Sequence, residues 1–224
     1  MKNEQYQNLV EKRKEHTFPD GLSNPAIIEN GIYDCEHIGA WSQWQGDLEA
    51  KILVIGQDWG DVRYFTDNQG KDDDKNTTNQ NLQSLFLKLG FDIGLPNSPI
   101  FNPIFFTNAI LGIKGSSDTK QMSSSVKDSW IRNSNEHFTH ELIDIIKPQF
   151  IITLGAKPLD AMRFMYQEIP NKKLSDLIEN DNHIRLNNGI QLFAFNHCGG
   201  LGLANRSFEN QLADWQKAKA IINH

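Results

Sequence analysis

Short apolar runs alternate along this chain with longer amphipathic stretches. Four runs have strand character: Ile52–Ile55, Ile104–Thr107, Phe150–Leu154 and Gln191–Phe195. Each is short and rich in Ile, Phe or Leu, as strands buried on both faces tend to be. Between them the apolar spacing lengthens to the helical period. "NLQSLFLKLG" sets Leu82, Leu85, Phe86 and Leu89 on one face and stops at Gly90. "SNEHFTHELIDIIKP" does the same with Phe138, Leu142, Ile145 and Ile146 and stops before Pro148. "PLDAMRFMYQ" begins a helix with Pro158 at its first helical position. "SFENQLADWQKAKAII" carries Phe208, Leu212, Trp215 and Ile222 along one stripe. "IRLNNGIQLF" reads as a hairpin turning at Asn188-Gly189.

The remaining stretches are polar or broken. Residues 1–16 predict a short, charged surface helix, and "FPDGLSNPAIIENGIYD" is loop, interrupted by Pro and Gly. Trp41 and Trp44 are expected to pack. The segment 67–80, "DNQGKDDDKNTTNQ", is the most polar part of the chain. It predicts a mobile surface loop in which Asp72–Asp74 are solvated rather than metal-binding. Strands alternating with helices, with no internal repeat, predict one α/β domain over residues 1–224. Its sheet would be mostly parallel and flanked by helices on both faces, a three-layer α/β/α arrangement.

Composition narrows the function classes. A chain of 224 residues with 38% hydrophobic and 22% charged residues can bury a substantial core. Its net charge of −6 argues against coating nucleic acid or an anionic membrane by bulk charge. No run approaches the roughly 20 apolar residues of a membrane span, and "MKNEQYQNLVEKRKEH" lacks a signal-peptide core, so a cytoplasmic protein without membrane partners is expected. The two cysteines, Cys35 and Cys198, supply neither a disulfide framework nor a four-cysteine metal site.

Chemistry is expected beyond the carboxyl ends of the strands, where open α/β sheets hold their ligands. Ile52–Ile55 runs on through Gly56 into Gln57-Asp58, Ile104–Thr107 into Asn108, and Gln191–Phe195 into Asn196-His197. A carboxylate, an amide and an imidazole are thereby offered to one region. They are enough to orient water, read a planar ligand edge and donate to a departing anion. His137 and His140 read as a solvated helical face, and neither a phosphate-binding G-x-x-x-x-G-K-[ST] loop nor a G-x-S-x-G elbow occurs.

In order and spacing, these segments resemble the uracil-DNA glycosylase superfamily over roughly residues 40–220. "ILVIGQDWGD" looks like the family's first motif, a strand running into Gly-Gln-Asp-Pro-Tyr-His. "FFTNAILGIK" is similar to the strand ending in the Asn that reads uracil. "IITLGAKPLDAM" resembles a shared strand–Leu-Gly–helix element, and "FAFNHCGGLGLANR" stands where the family has its late His motif and DNA-inserting loop. The resemblance implies a monofunctional glycosylase of base excision repair that acts on uracil or a related lesion in DNA. It further implies a monomer that uses neither metal nor cofactor. Asp58 would orient or activate water, His197 would donate to the leaving base, and Asn108 would read it. Main-chain amides at Gln57 and Asp58 would hold its O2 side. Tyr64 or Phe65 would stack on it, the alternative for each being core. Leu201 or Leu203 would wedge into the duplex, the alternative being core packing. Arg206 and the turn at Gly115-Ser116-Ser117 would meet phosphates. Trp59-Gly60-Asp61 departs from the family's Pro-Tyr-His, so thymine exclusion would fall to Trp59. Cys198-Gly199-Gly200 departs from its Pro-Ser-Pro. Two other readings stay open: a nucleic-acid or nucleobase binding module, and a hydrolase of small nucleosides.

Overall fold

The computed structural model describes residues 1–40, 42–45, 47–98, 100, 104–115, 126–180 and 182–223. In chain order the elements are α1 (Lys2–Glu15), β1 (Leu22–Ser23), β2 (Ile52–Gly56), α2 (Val62–Asp67), α3 (Thr77–Leu89), β3 (Ile104–Asn108) and β4 (Ile113–Lys114). There follow α4 (Asp128–Ser134), one π turn (Asn135–Thr139), α5 (His140–Ile146), β5 (Phe150–Leu154), α6 (Ala156–Met165), α7 (Leu174–Asn180), β6 (His183–Arg185), β7 (Gln191–Phe195), α8 (Gly200–Asn205) and α9 (Phe208–Ile222).

The main sheet has the order β3-β2-β5-β7-β6. Its first four strands are parallel, and β6 closes one edge antiparallel to β7. The expected α/β domain is therefore present, with a mixed, mostly parallel sheet. After β3 the chain crosses back over β2 to reach β5, so the topology switches at the carboxyl end of β2, the usual place for a ligand crevice.

Alternation along the strands feeds two cores. Leu53, Ile55, Phe105, Ile151 and Leu192 face α1, α4, α5 and α6 through Leu9, Ile131, Leu142 and Leu159. Val54, Phe106, Ile152 and Phe195 face α3 and α9 through Leu85, Phe86 and Trp215. Asn108 continues the second face, two residues beyond Phe106.

Two expectations are corrected. The N-terminal helix is not simply a charged surface helix: Tyr6, Leu9, Val10 and Arg13 form a buried stripe at helical spacing. The Arg13 guanidinium donates to Asp34 at 2.7 Å and to the carbonyls of Cys35 and His37 at 2.8 Å each, which pairs its charge with a carboxylate and leaves only Nε without a partner. The acidic triplet of segment 67–80 is not simply solvated. Asn79 donates to the Asp72 carboxylate and the Asp73 carbonyl, Asn97 to Asp74, and Asn76 caps α3. Its carboxylates are acceptors for backbone and amide N–H groups, a use that composition does not reveal. Burial pushes the Asp72 carboxyl up to about 6. Trp44 packs in the second core, and Trp41 lies outside the described residues.

Candidate active site

Past Gly56, β2 becomes a tight turn. Gly60 adopts φ +94°, a left-handed conformation that suits glycine, and Asp61 caps α2 by accepting from the Tyr64 N–H at 2.8 Å. The turn lifts Asp58 to the sheet's carboxyl edge and holds it there. Its Oδ1 accepts the Gly60 N–H at 2.9 Å and its Oδ2 accepts the Gln57 side-chain amide at 2.8 Å. Lys114 Nζ stands 3.0 Å from Oδ1, with both side chains almost buried at 6% and 7% exposure. Lys114 is held by main-chain geometry: β4 pairs with β1, and the Lys114 N–H donates to the Gly60 carbonyl at 3.3 Å.

Asn108 lies beside Gly56 in register on the neighbouring strand. A Cβ at Gly56 would collide with Asn108 Oδ1, so the absent side chain makes room for the carboxamide. Asn108 is 2% exposed, yet no described residue hydrogen-bonds its carboxamide. Neither its Oδ1 nor its Nδ2 is among the fully enclosed atoms that lack a partner, so the carboxamide is open to a ligand of matching pattern.

His197 follows β7. Its Nδ1 accepts the Gly199 N–H at 3.0 Å. A backbone amide only donates, so Nδ1 carries no proton and Nε2 must carry one. Burial holds the imidazole below the usual histidine range, with the Asp58 carboxylate opposing. The result is a neutral ring with one N–H to give. Its carbonyl accepts Gln211 Nε2 at 3.3 Å, and α8 packs against it so closely that only glycine fits at position 202.

The other expected site residues divide. The Gln57 side chain is used on Asp58. Trp59 turns into the second core, edge-on to Phe106 with ring centroids 5.6 Å apart. Phe65 is core. Tyr64 is half-buried, its ring beside Gly60 and its hydroxyl accepting from Asn76 at 3.3 Å. Leu201 is 78% exposed at the start of α8, and Leu203 is half-buried. Arg206 pairs with a carboxylate of its own chain: Nε and Nη2 donate to Asp214 at 2.5 and 2.8 Å. Ser116 lies outside the described residues.

Sequence reasoning missed Lys114 and Gln211. The signal for Lys114 was available: an apolar run, "AILGI", ends on a lysine six residues after Asn108. Nothing in the sequence marks Gln211. Among the described residues no three His, Cys, Asp or Glu side chains converge as a metal centre would need, and no helix is long and apolar enough to cross a membrane. A concavity of about 660 Å³ lies at the sheet's opposite edge, around Phe150, Gln191 and Ile221, and has no titratable side chain in its lining. No protein-family model matches the chain, and neither does any curated protein.

Proposed function

We propose that the protein is a DNA glycosylase that hydrolyses the N-glycosidic bond of uracil, or a related base, turned out of the stack. The observation that carries this reading is the tautomer of His197. With Nδ1 closed by the Gly199 N–H, the ring is a neutral Nε2–H donor on the same sheet edge as the Asp58 carboxylate and the unpartnered Asn108 carboxamide.

Each group then has one task. The Asn108 carboxamide offers a donor beside an acceptor, complementary to O4 and N3–H of uracil and mismatched to cytosine. As the bond to the sugar breaks, His197 Nε2–H donates to the base, on which negative charge grows. Asp58 faces the sugar, where positive charge grows, and orients the water that adds to it. The Tyr64 ring beside Gly60 is the side chain available to crowd a 5-methyl group, in place of Trp59. Leu201, exposed on a Gly-rich helix start, fills the gap left by an extruded base. A small-nucleoside hydrolase has no use for that leucine. The binding-module reading is favoured by the Lys114–Asp58 pair, since a carboxylate already matched by a cation suits binding as well as catalysis.

The test is an oligonucleotide carrying deoxyuridine, single-stranded or opposite G or A, incubated with EDTA and then treated with alkali. Strand scission is expected, with a loss of at least about 100-fold in Asp58→Asn, a typical scale for removing a transition-state charge contact. Retained oligonucleotide binding without scission by the wild-type protein would select the binding module. Full activity in folded Asp58→Asn would remove Asp58 from the mechanism.

A further inference from the structure

A carboxylate has about four lone-pair positions in its plane, two on each oxygen. At Asp58 two of them have hydrogen-bond donors, the Gly60 N–H on Oδ1 and the Gln57 amide on Oδ2, and the Lys114 ammonium stands 3.0 Å from Oδ1 as an ion pair. One position on Oδ2 is left, and among the described residues no other donor is directed to Asp58. A lysine is an expensive way to close one lone pair. Lys114 is almost wholly buried, and among the described residues its ammonium has no carboxylate partner but Asp58. A buried pair of this kind costs desolvation of both ions, so it is poor evidence for stability alone.

Lys114 also comes from outside the sheet's own strand ends. It arrives on β4, whose register with β1 sets Leu22 opposite Lys114 and whose N–H holds the Gly60 carbonyl. The same two-residue strand therefore fixes the turn and aims the ammonium at the carboxylate within it. Side chain and main chain act on one group from one element.

We infer that Lys114 is the positioning residue of this site: by closing Oδ1 together with the Gly60 N–H, it locks the Asp58 carboxylate so that the remaining lone pair of Oδ2 alone meets the reacting atoms. This rests on the glycosylase reading for its catalytic consequence, but not for the geometry. Without Lys114 the carboxylate is held by the Gly60 and Gln57 bonds alone, with no charge to bias Oδ1 toward the turn, and the Gly60 N–H faces a less firmly fixed acceptor.

Two measurements on the full chain test it. In the scission assay, Lys114→Met is expected to lower kcat about 100-fold with KM within about twofold, the scale expected when a reacting group is misplaced by about an ångström. Lys114→Gln, which keeps a donor for Oδ1, is expected to recover part of that loss, and it serves if Lys114→Met fails to fold. In amide hydrogen exchange, the Gly60 N–H is expected to exchange at least tenfold faster in Lys114→Met and by a smaller factor in Lys114→Gln, while the Gly199 N–H is unchanged. A Gly60 amide that exchanges as in wild type overturns the proposal whatever the activity. A kcat within about threefold of wild type in both folded variants overturns its catalytic part. No scission by wild type, with faster Gly60 exchange in the variants, sinks the glycosylase reading and leaves Lys114 as the clamp on Asp58.

Discussion

Asp58 and Asp214 are both nearly buried carboxylates, each beside one principal cation, and they are built for different ends. Asp214 meets Arg206 fork to fork, two N–H bonds to two oxygens, with the guanidinium partly in water. This is the geometry that ties α9 to the end of α8, and it leaves each oxygen with a strong donor. Asp58 meets Lys114 through one oxygen only, in a drier place, and keeps an acceptor position open beside two other polar groups with capacity unused. Under the proposed function, the difference separates a pair that ties the fold from one that serves the site. Burial does not discriminate; the unspent lone pair does. The 660 Å³ concavity at the far edge makes the same point, being roomy but without acid, base or cation.

The comparison breaks most visibly in stability. Asp58→Asn leaves the Lys114 charge buried without its counter-ion, at a cost of roughly 3–5 kcal/mol by urea unfolding. Adding Lys114→Met is expected to return most of that stability and none of the activity. A double variant less stable than either single one would mean the pair serves the fold. Arg206→Gln is the converse: it is expected to lower the unfolding midpoint while scission follows only the folded fraction. Lost scission in fully folded Arg206→Gln would return this residue to a phosphate contact. Next in size is Gly56→Ala, whose methyl meets Asn108 Oδ1 and the Phe106 ring. It is expected to cost about 2 kcal/mol, as overpacking does, and to lower kcat/KM for uracil about tenfold or more by moving the carboxamide. Unchanged discrimination between uracil and cytosine in that variant would remove Asn108 as the reader.

The smallest effect belongs to a third carboxylate. Asp72 is bonded by the Asn79 amide and the Asp73 N–H, and burial raises its carboxyl from 3.8 to about 6. The folded protein thus holds this proton more tightly than the unfolded chain does. Asp72 accordingly lowers stability as pH rises from about 4 to about 6, and the deficit is complete above that. Asp72→Asn keeps the acceptor and lacks the charge, so it is expected to gain about 1 kcal/mol at pH 8 and nothing at pH 4. Equal unfolding midpoints for the two proteins at pH 8 would contradict the raised carboxyl.

Much of this was legible in the sequence because local and global signals agree. β5 and β7 span the residues that the apolar runs predict, while β2 and β3 each run one residue further, to Gly56 and Asn108. α3 ends at Gly90 in a left-handed cap, and α9 begins on a Ser207 cap. What stayed hidden depends on partners distant in sequence. The polar look of α1 conceals a stripe whose last member, Arg13, is buried because the Asp34 carboxylate 21 residues away pairs its charge and carbonyls 22 and 24 residues away accept its Nη2. Asp72–Asp74 read as solvated because their donors sit at Asn79 and Asn97. Asp58, Asn108 and His197 could be listed from strand ends, but Lys114 enters through a two-residue strand too short to register as a pattern. Arg206 had the right charge and neighbourhood for phosphate, and only Asp214, eight residues on, shows where it is spent.

The contact between Gly202 and the His197 carbonyl has a mechanical consequence. With no side chain between them, and with Gln211 bonded to the same carbonyl, the start of α8 and the His197 main chain are one packed unit. The exposed Leu201 and the imidazole are thus carried by neighbouring parts of a single rigid corner. Under the proposed function, whatever meets the leucine meets the support of the histidine as well.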